Sequence, residues 1–297
     1  MSDFGGLINR VEAVLHGYTE NTEPTTWLTT TATSATTSMT VYDASVIGRG
    51  YIQIDDEIVF VNNTDNVANT LTISPWGRAQ RGTTAAAHSS NAKVTVSPLF
   101  PRQEIKNAIN DTINAMYPSV FAVDTHDFTY VAAQYSYSIP AAVENILSAT
   151  YSIIGPSKEW FPVRAWQLDR TADTTAFANG KSVSIYSEVV PGQTVQIAYS
   201  KRPTLLVNDD DDYATTTGLP SYSEDVVIYG AAFRMISFLD PSRLGPQSAA
   251  ADILDGVRPQ GSGQNTARFL YNIYQQRLNE VADNQRRQYP IRSHYQR

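Results

Sequence analysis

SYSEDVVIYGAAFRMISFL, residues Ser221 to Leu239, reads as a helix that is apolar on nearly every face. Only Gly230, Arg234 and Ser237 interrupt Val226, Val227, Ile228, Tyr229, Phe233, Met235, Ile236, Phe238 and Leu239. A helix of this kind is buried among other elements. Ser221 and Glu224 stand at capping-box spacing, in which the serine oxygen accepts from a free first-turn N–H and the glutamate accepts from the cap residue's own N–H. Pro241, after Asp240, marks the stop. Gly230, Ala231 and Ala232 lack bulk and let a neighbour approach closely. The apolar run is shorter than the roughly 20 residues a bilayer requires and carries Arg234, which sets a membrane span aside.

Working outward, a chain of 297 residues with 42% hydrophobic content is long enough for more than one core, and two or three domains are expected. With no cysteine there is no disulfide scaffold and no thiolate metal site, which fits assembly in a reducing compartment. The first residues, MSDFGGLINR, lack the basic start and apolar run of a secretion signal. A net charge of −7 argues against a general nucleic-acid binder. The charge is uneven, however. After Asp283 come Arg286, Arg287, Arg292 and Arg297 with no acid, so a +4 tail follows a body of −11. Such asymmetry points to a partner for the tail.

Phe4, Leu7, Ile8, Val11, Val14 and Leu15 form an amphipathic helical stripe that closes near Gly17. The threonine-rich tract TTWLTTTATSATTSMTVY follows, then YIQID, EIVFV, NTLTIS and AKVTV between Asp, Asn and Gly. These read as strands of a small all-β module ending near Ser97; a disordered linker is the alternative for the threonine tract. Pro101 opens a second helical stripe, Ile105, Ala108, Ile109, Thr112, Ile113 and Met116, up to Pro118. Strand signals return from Asp124 to Pro203, with turns at Gly155-Pro156, Asn179-Gly180 and Pro191-Gly192. After the apolar helix, a Gly/Pro-rich stretch leads to a last helix with Ala267, Leu270, Ile273, Tyr274, Leu278 and Val281 on one face, and Pro290 ends it. The expectation is an α+β fold: a four-helix bundle with two inserted all-β modules and an extended C-terminal arm. Its parts are a first helix (1–22), an inserted β module (23–100), a second helix (101–121), a β-sandwich or barrel (122–207), third and fourth helices (208–285) and the arm (286–297). The bundle core is expected at Val227, Tyr229, Gly230, Phe233, Ile236, Leu270, Ile273 and Leu278.

No catalytic, metal-binding or cofactor constellation stands out. His16, His88, His126 and His294 are scattered without ligand spacing and read as surface or turn residues. Asp55, Asp56 and Glu57 could be imagined as an acid and base pair, but a polar hairpin turn between YIQI and IVFV is the better reading. The run Asp209 to Asp212 lacks the alternating ligands of a calcium loop, with Ala214 and Pro220 where the loop glycine and final glutamate belong, and reads as a solvated loop. Gly261-Ser262-Gly263 has no preceding strand and no lysine, so it is not a phosphate loop.

Several stretches together resemble neck proteins of tailed bacteriophages. LPSYSEDVVIYGAAFRMISFL is similar to their central helix. YIQIDDEIVFV, NTLTIS and RGTTAAAHSSNAKV resemble a β module of phage neck and tail proteins, and YSYSIP and GQTVQIAYSKRP before an acidic loop fit the same pattern. The resemblance implies a non-enzymatic head-to-tail adaptor of the virion, built on an adaptor-type bundle. Its copies form a ring, commonly a dodecamer, beneath the portal; the tail or next neck protein docks below, and packaged DNA passes through the lumen without specific binding. The portal-binding element is then expected in the arm, at Arg286, Arg287, Tyr289, Pro290, Ile291, Arg292, Tyr295 and Arg297. The alternative is a tail-associated carbohydrate- or receptor-binding protein using Trp27 or Trp76, and a glycan hydrolase is a more distant third.

Overall fold

The computed structural model describes residues 2–17, 23–153, 159–237 and 262–290. Among these, thirteen strands stand beside five α-helices and one 3-10 turn. The chain divides into two compact units, one of Met1–Gly6, Thr112–Val227 and Asn272–Arg297, the other of Leu7–Asp111 and Ile228–Tyr271.

The second unit contains a six-stranded antiparallel sheet of β1 (Thr25–Trp27), β2 (Ser38–Thr40), β3 (Gly50–Ile54), β4 (Glu57–Asp65), β5 (Thr70–Ile73) and β6 (Lys93–Val96), in the order β1-β6-β3-β4-β5-β2. The sheet curls until its edges meet. Leu28 bridges to Val41, Thr29 N–H donates to Thr40 C=O at 2.9 Å, and Tyr42 N–H donates to Trp27 C=O at 2.9 Å, closing the order into a small barrel. Alternation along the strands turns Ile52, Ile54, Val59, Val61, Leu71, Ile73 and Val94 inward, where they meet Leu28, Met39, Val41 and Ile47. The threonine tract supplies β1 and β2; it is not a linker.

In the first unit, β7 (Ala122–Thr129), β9 (Asn145–Ser152), β10 (Trp160–Pro162) and β13 (Thr194–Lys201) form one sheet, ordered β10-β9-β13-β7. A second sheet is ordered β11-β12-β8, from β8 (Ser136–Ser138), β11 (Trp166–Asp169) and β12 (Ser182–Ile185). Tyr137, Val183 and Ile185 from the smaller sheet and Ile146, Ala149, Val195, Ile197 and Tyr199 from the larger share one core, as in a sandwich. The helix α3 (Tyr213–Thr217) follows directly on the Asp209 to Asp212 run, which is itself non-helical. Asp212 caps it by accepting from Thr215 N–H, and it ends at left-handed Gly218 (φ 73°), where a Cβ would fall 2.9 Å from that of Ala122.

The expected helices are present as α1 (Phe4–His16), α2 (Arg102–Met116), α4 (Glu224–Ser237) and α5 (Ser262–Gln288). The expectation of a four-helix adaptor-type bundle carrying inserted modules is overturned. Among the described residues thirteen strands in three sheets outnumber the five α-helices, and each of these four helices has residues in both compact units, so neither unit is a helical core. A period of 3.6 shows that a helix buries one face, but it does not say what covers that face. The expected capping box is also absent. Residues Ser221–Ser223 form the 3-10 turn, and Glu224 accepts instead from Ser2, at 3.2 Å from its N–H and 2.8 Å from its hydroxyl.

Of the anticipated core positions, Val227, Gly230, Ile236, Leu270 and Leu278 are buried, whereas Tyr229, Phe233 and Ile273 are half-buried. Phe233 meets Tyr271 with ring centroids 5.1 Å apart. Phe233→Ala is therefore expected to cost less than the roughly 3–5 kcal/mol of a fully buried phenylalanine. Gly230→Leu should cost about 1–3 kcal/mol by overpacking. Urea unfolding of the two variants checks both; equal and negligible losses would show α4 to be uncovered.

We propose that residues 23–100 are a separable module. Its ends meet, since Val96 N–H donates to Pro24 C=O at 2.9 Å and Leu99 N–H donates to the Glu23 carboxylate at 2.5 Å. Replacing 23–97 with a short Gly/Ser linker should leave the helical circular-dichroism signal. The melting temperature should fall, because α2 loses the bond from Arg102 N–H to Gln53, the Arg102–Asp56 ion pair and the bond from Lys106 to Asp56. Loss of the helical signal would show that the module is part of the main core.

Candidate functional site

The most completely bonded polar group is a buried cluster in the barrel. Glu57 opens β4 and, unlike a turn residue, faces inward at 1% exposure. Arg78 grips it with two bonds of 2.7 Å, from Nε to Oε1 and from Nη2 to Oε2. The same guanidinium donates to the carbonyls of Thr33, Thr36 and Ala86, while the N–H groups of Ala79 and Ala86 donate to Glu57 at 3.0 Å. His88, 3% exposed and not the surface residue its sequence suggested, joins Glu57 through Nε2 at 2.9 Å and Asp55 through Nδ1 at 2.8 Å. Burial opposes ionisation of Glu57, but bonds from Arg78, His88, Ala86 and Ala79 outweigh it and hold the carboxyl far below its ordinary range. Burial likewise disfavours the His88 cation, yet the bonds and charges of Asp55 and Glu57 raise its pKa to about 9. With both Glu57 oxygens and every Arg78 nitrogen engaged, the cluster is a clamp on the 74–92 connection.

Above this clamp the barrel carries an aromatic face. Tyr51 and Phe60 are directly paired across β3 and β4, with ring centroids 5.2 Å apart. Trp76 stacks on Phe60 at 5.2 Å and is 62% exposed. Arg81 lies 4.6 Å over the Tyr51 ring and Arg49 5.9 Å over the Phe60 ring. Gly77 makes the stacking possible: its carbonyl accepts from Phe60 N–H at 2.6 Å, and a Cβ there would sit 2.6 Å from the Phe60 carbonyl. Sequence reading had singled out Trp76 without its platform. Trp27 stands elsewhere, edge-on to Tyr42 at 6.5 Å.

A third feature is the end of α5. Leu270, Tyr274, Leu278, Val281, Ala282 and Gln285 form its buried stripe. The Gln285 amide, 3% exposed, accepts from Phe121 N–H at 3.1 Å and donates to Phe121 C=O at 2.6 Å, which fixes the helix end. Arg286 and Arg287 project from the last turn into solvent, Arg286 lying 3.5 Å from Asp283. Tyr289 is half-buried and Pro290 exposed, while Ile291, Arg292, Tyr295 and Arg297 lie outside the described residues. Among the described residues, no group of three or more His, Asp or Glu could hold a metal, and no helix is long and apolar enough to cross a membrane.

No curated protein matches the chain. The family model described as SU10 adaptor protein matches residues 76–294, from Trp76 of the aromatic face through α5. That span is well over half of the chain and includes the first unit's sandwich and the four-residue β6 of the barrel. The chain therefore belongs to the SU10 adaptor protein family and is a structural phage protein of the virion.

Proposed function

We propose that the protein is a head-to-tail adaptor of the phage neck, forming a ring of copies beneath the portal, a dodecamer by resemblance, and lining the DNA channel. The observation that carries this reading is the rooted basic end of α5. Gln285 anchors the helix, and the exposed Arg286 and Arg287 begin a +4 segment on a body of −11. An arm with a fixed root and a charge opposite to its own body suits docking on another virion protein, here the portal. The acidic body in turn suits a channel that passes DNA, since few Lys/Arg contacts hold its phosphates. The tail or the next neck protein would bind the opposite face.

Negative-stain images of the purified protein mixed with its portal should show rings capped by portal. Separate particles at every ratio would overturn the reading. A second reading, a tail-associated carbohydrate- or receptor-binding protein, draws on exposed Trp27 and Trp76. Glycan binding that disappears in Trp76→Ala would favour it.

A further inference from the structure

We infer that the aromatic face of the barrel receives the 205–212 loop of a neighbouring copy of this chain, in a head-to-tail contact. The inference rests on the ring reading above and names the surfaces that would build the ring.

The receiving face has the composition in which interfaces concentrate their energy, Trp, Tyr and Arg. It is also already ordered. Tyr51 and Phe60 are a cross-strand pair, and Trp76 sits on a turn held by Gly77 and by the Arg78–Glu57 clamp, so little side-chain freedom remains to be lost on binding. Among the described residues neither Arg49 nor Arg81 has an ion-pair partner, and both are exposed. The face thus offers an aromatic platform with two uncompensated cations.

The 205–212 loop is its complement. Leu205 and Val207 are 44% and 73% exposed, and Asp210 is exposed beside them. The loop is stiff as well. Asp211 accepts from the N–H groups of Val207 and Asn208 at 2.8 Å each, and the carbonyls of Asp209 and Asp211 accept from Gly5 and Phe4 N–H at 2.9 Å. An apolar tip followed by carboxylates matches an aromatic platform flanked by arginines in both hydrophobicity and charge. Because the two surfaces differ, the contact is heterologous, and a heterologous contact generates a closed ring when its rotation closes.

The absence of cysteine makes the test direct. Arg81→Cys and Val207→Cys are made singly and together in the full chain and treated with a short bis-maleimide. A mixture of the two single variants should give a two-chain product, the double variant a ladder of multimers, and each single variant alone no product. Reversing Arg49→Glu and Arg81→Glu in the Arg81-side partner, with the cysteine moved to Gln80→Cys, should lower the mixed yield at least about tenfold. Asp210→Lys on the other partner should restore it. No mixed product, or single variants that cross-link as well as the mixture, would overturn the contact, as would glycan binding at Trp76 that blocks no cross-link. Rings with portal but no mixed product would sink this contact and leave the ring reading standing; mixed product without rings would do the reverse.

Discussion

Arg78→Ala is expected to destabilise the barrel by about 3–5 kcal/mol, because the buried Glu57 carboxylate loses both guanidinium bonds and keeps only His88 and the N–H groups of Ala79 and Ala86. Exposed ion pairs contribute about 0–1 kcal/mol. The difference is burial: side-chain exposure is 6% for Arg78 and 0% for Glu57. The carbonyls of Thr33, Thr36 and Ala86 lose the Arg78 donor in the same step. Urea unfolding followed by tryptophan fluorescence reads the loss, and the double variant Glu57→Leu with Arg78→Met should recover part of it, since neither charge of that pair then remains and His88 keeps Asp55. A loss below about 1 kcal/mol in Arg78→Ala would place the pair in water. The cluster also sets a pH dependence. His88 is raised from 6.5 to about 9 in the folded protein, so the folded state binds the extra proton between those values. Its contribution is fully present below pH 6.5 and is lost as pH rises through about 9. Glu57 is depressed from 4.5, so its contribution is present above that value and declines as the solution is acidified. His88→Gln should flatten the alkaline limb of a stability–pH profile and reduce the acid limb only in part, since Arg78, Ala86 and Ala79 still hold Glu57.

This cluster also marks where sequence reading ended. Strands β3 to β6 were legible because alternation along YIQI and EIVFV assigns their inward residues without knowledge of the partner strand. The clamp was not, because nothing local distinguishes Glu57 from Asp55 and Asp56. Its inward aim follows from its place as the first residue of β4, and its partners arrive from positions 78 and 88 by way of barrel closure. Asp212 was more accessible, since Asp followed three residues later by Thr215 before a glycine carries a cap-and-stop signal that the surrounding acidic run obscured. The four helical stripes were read correctly as helices but assigned to one another. Ser221 and Glu224 had the spacing of a capping box, yet Ser2, more than two hundred positions away, took the carboxylate. That the chain is a phage adaptor was therefore legible in the texture of its segments, while its architecture was misjudged by treating helix amphipathicity as evidence for helix–helix packing.

If the arm docks on the portal as proposed, truncation after Gln285 should leave a folded protein that no longer captures the portal. The body should survive because the cut lies beyond the last buried residue of α5, and Gln285 keeps both bonds to Phe121. What is lost is the segment that begins with Arg286 and Arg287, exposed in the last turn, and continues past Tyr289 and Pro290. Arginine and tyrosine are enriched where interfaces concentrate their energy, and an arm rooted at a fixed point can add main-chain bonds to a partner's sheet edge. If copies act together in a ring, each arm binds at the effective concentration set by its neighbours, so removing all arms should lower portal affinity on the order of 10²–10⁴-fold. Arg286→Ala with Arg287→Ala should give a smaller, salt-sensitive loss, because exposed charges are screened within about 10 Å at 0.1 M salt. Surface plasmon resonance on immobilised portal, with circular dichroism to confirm the fold, separates docking from stability. Unchanged affinity in the truncated protein would move the docking surface off the arm, whereas a truncated protein that unfolds would mean that Arg286 to Arg297 completes the core rather than reaching beyond it.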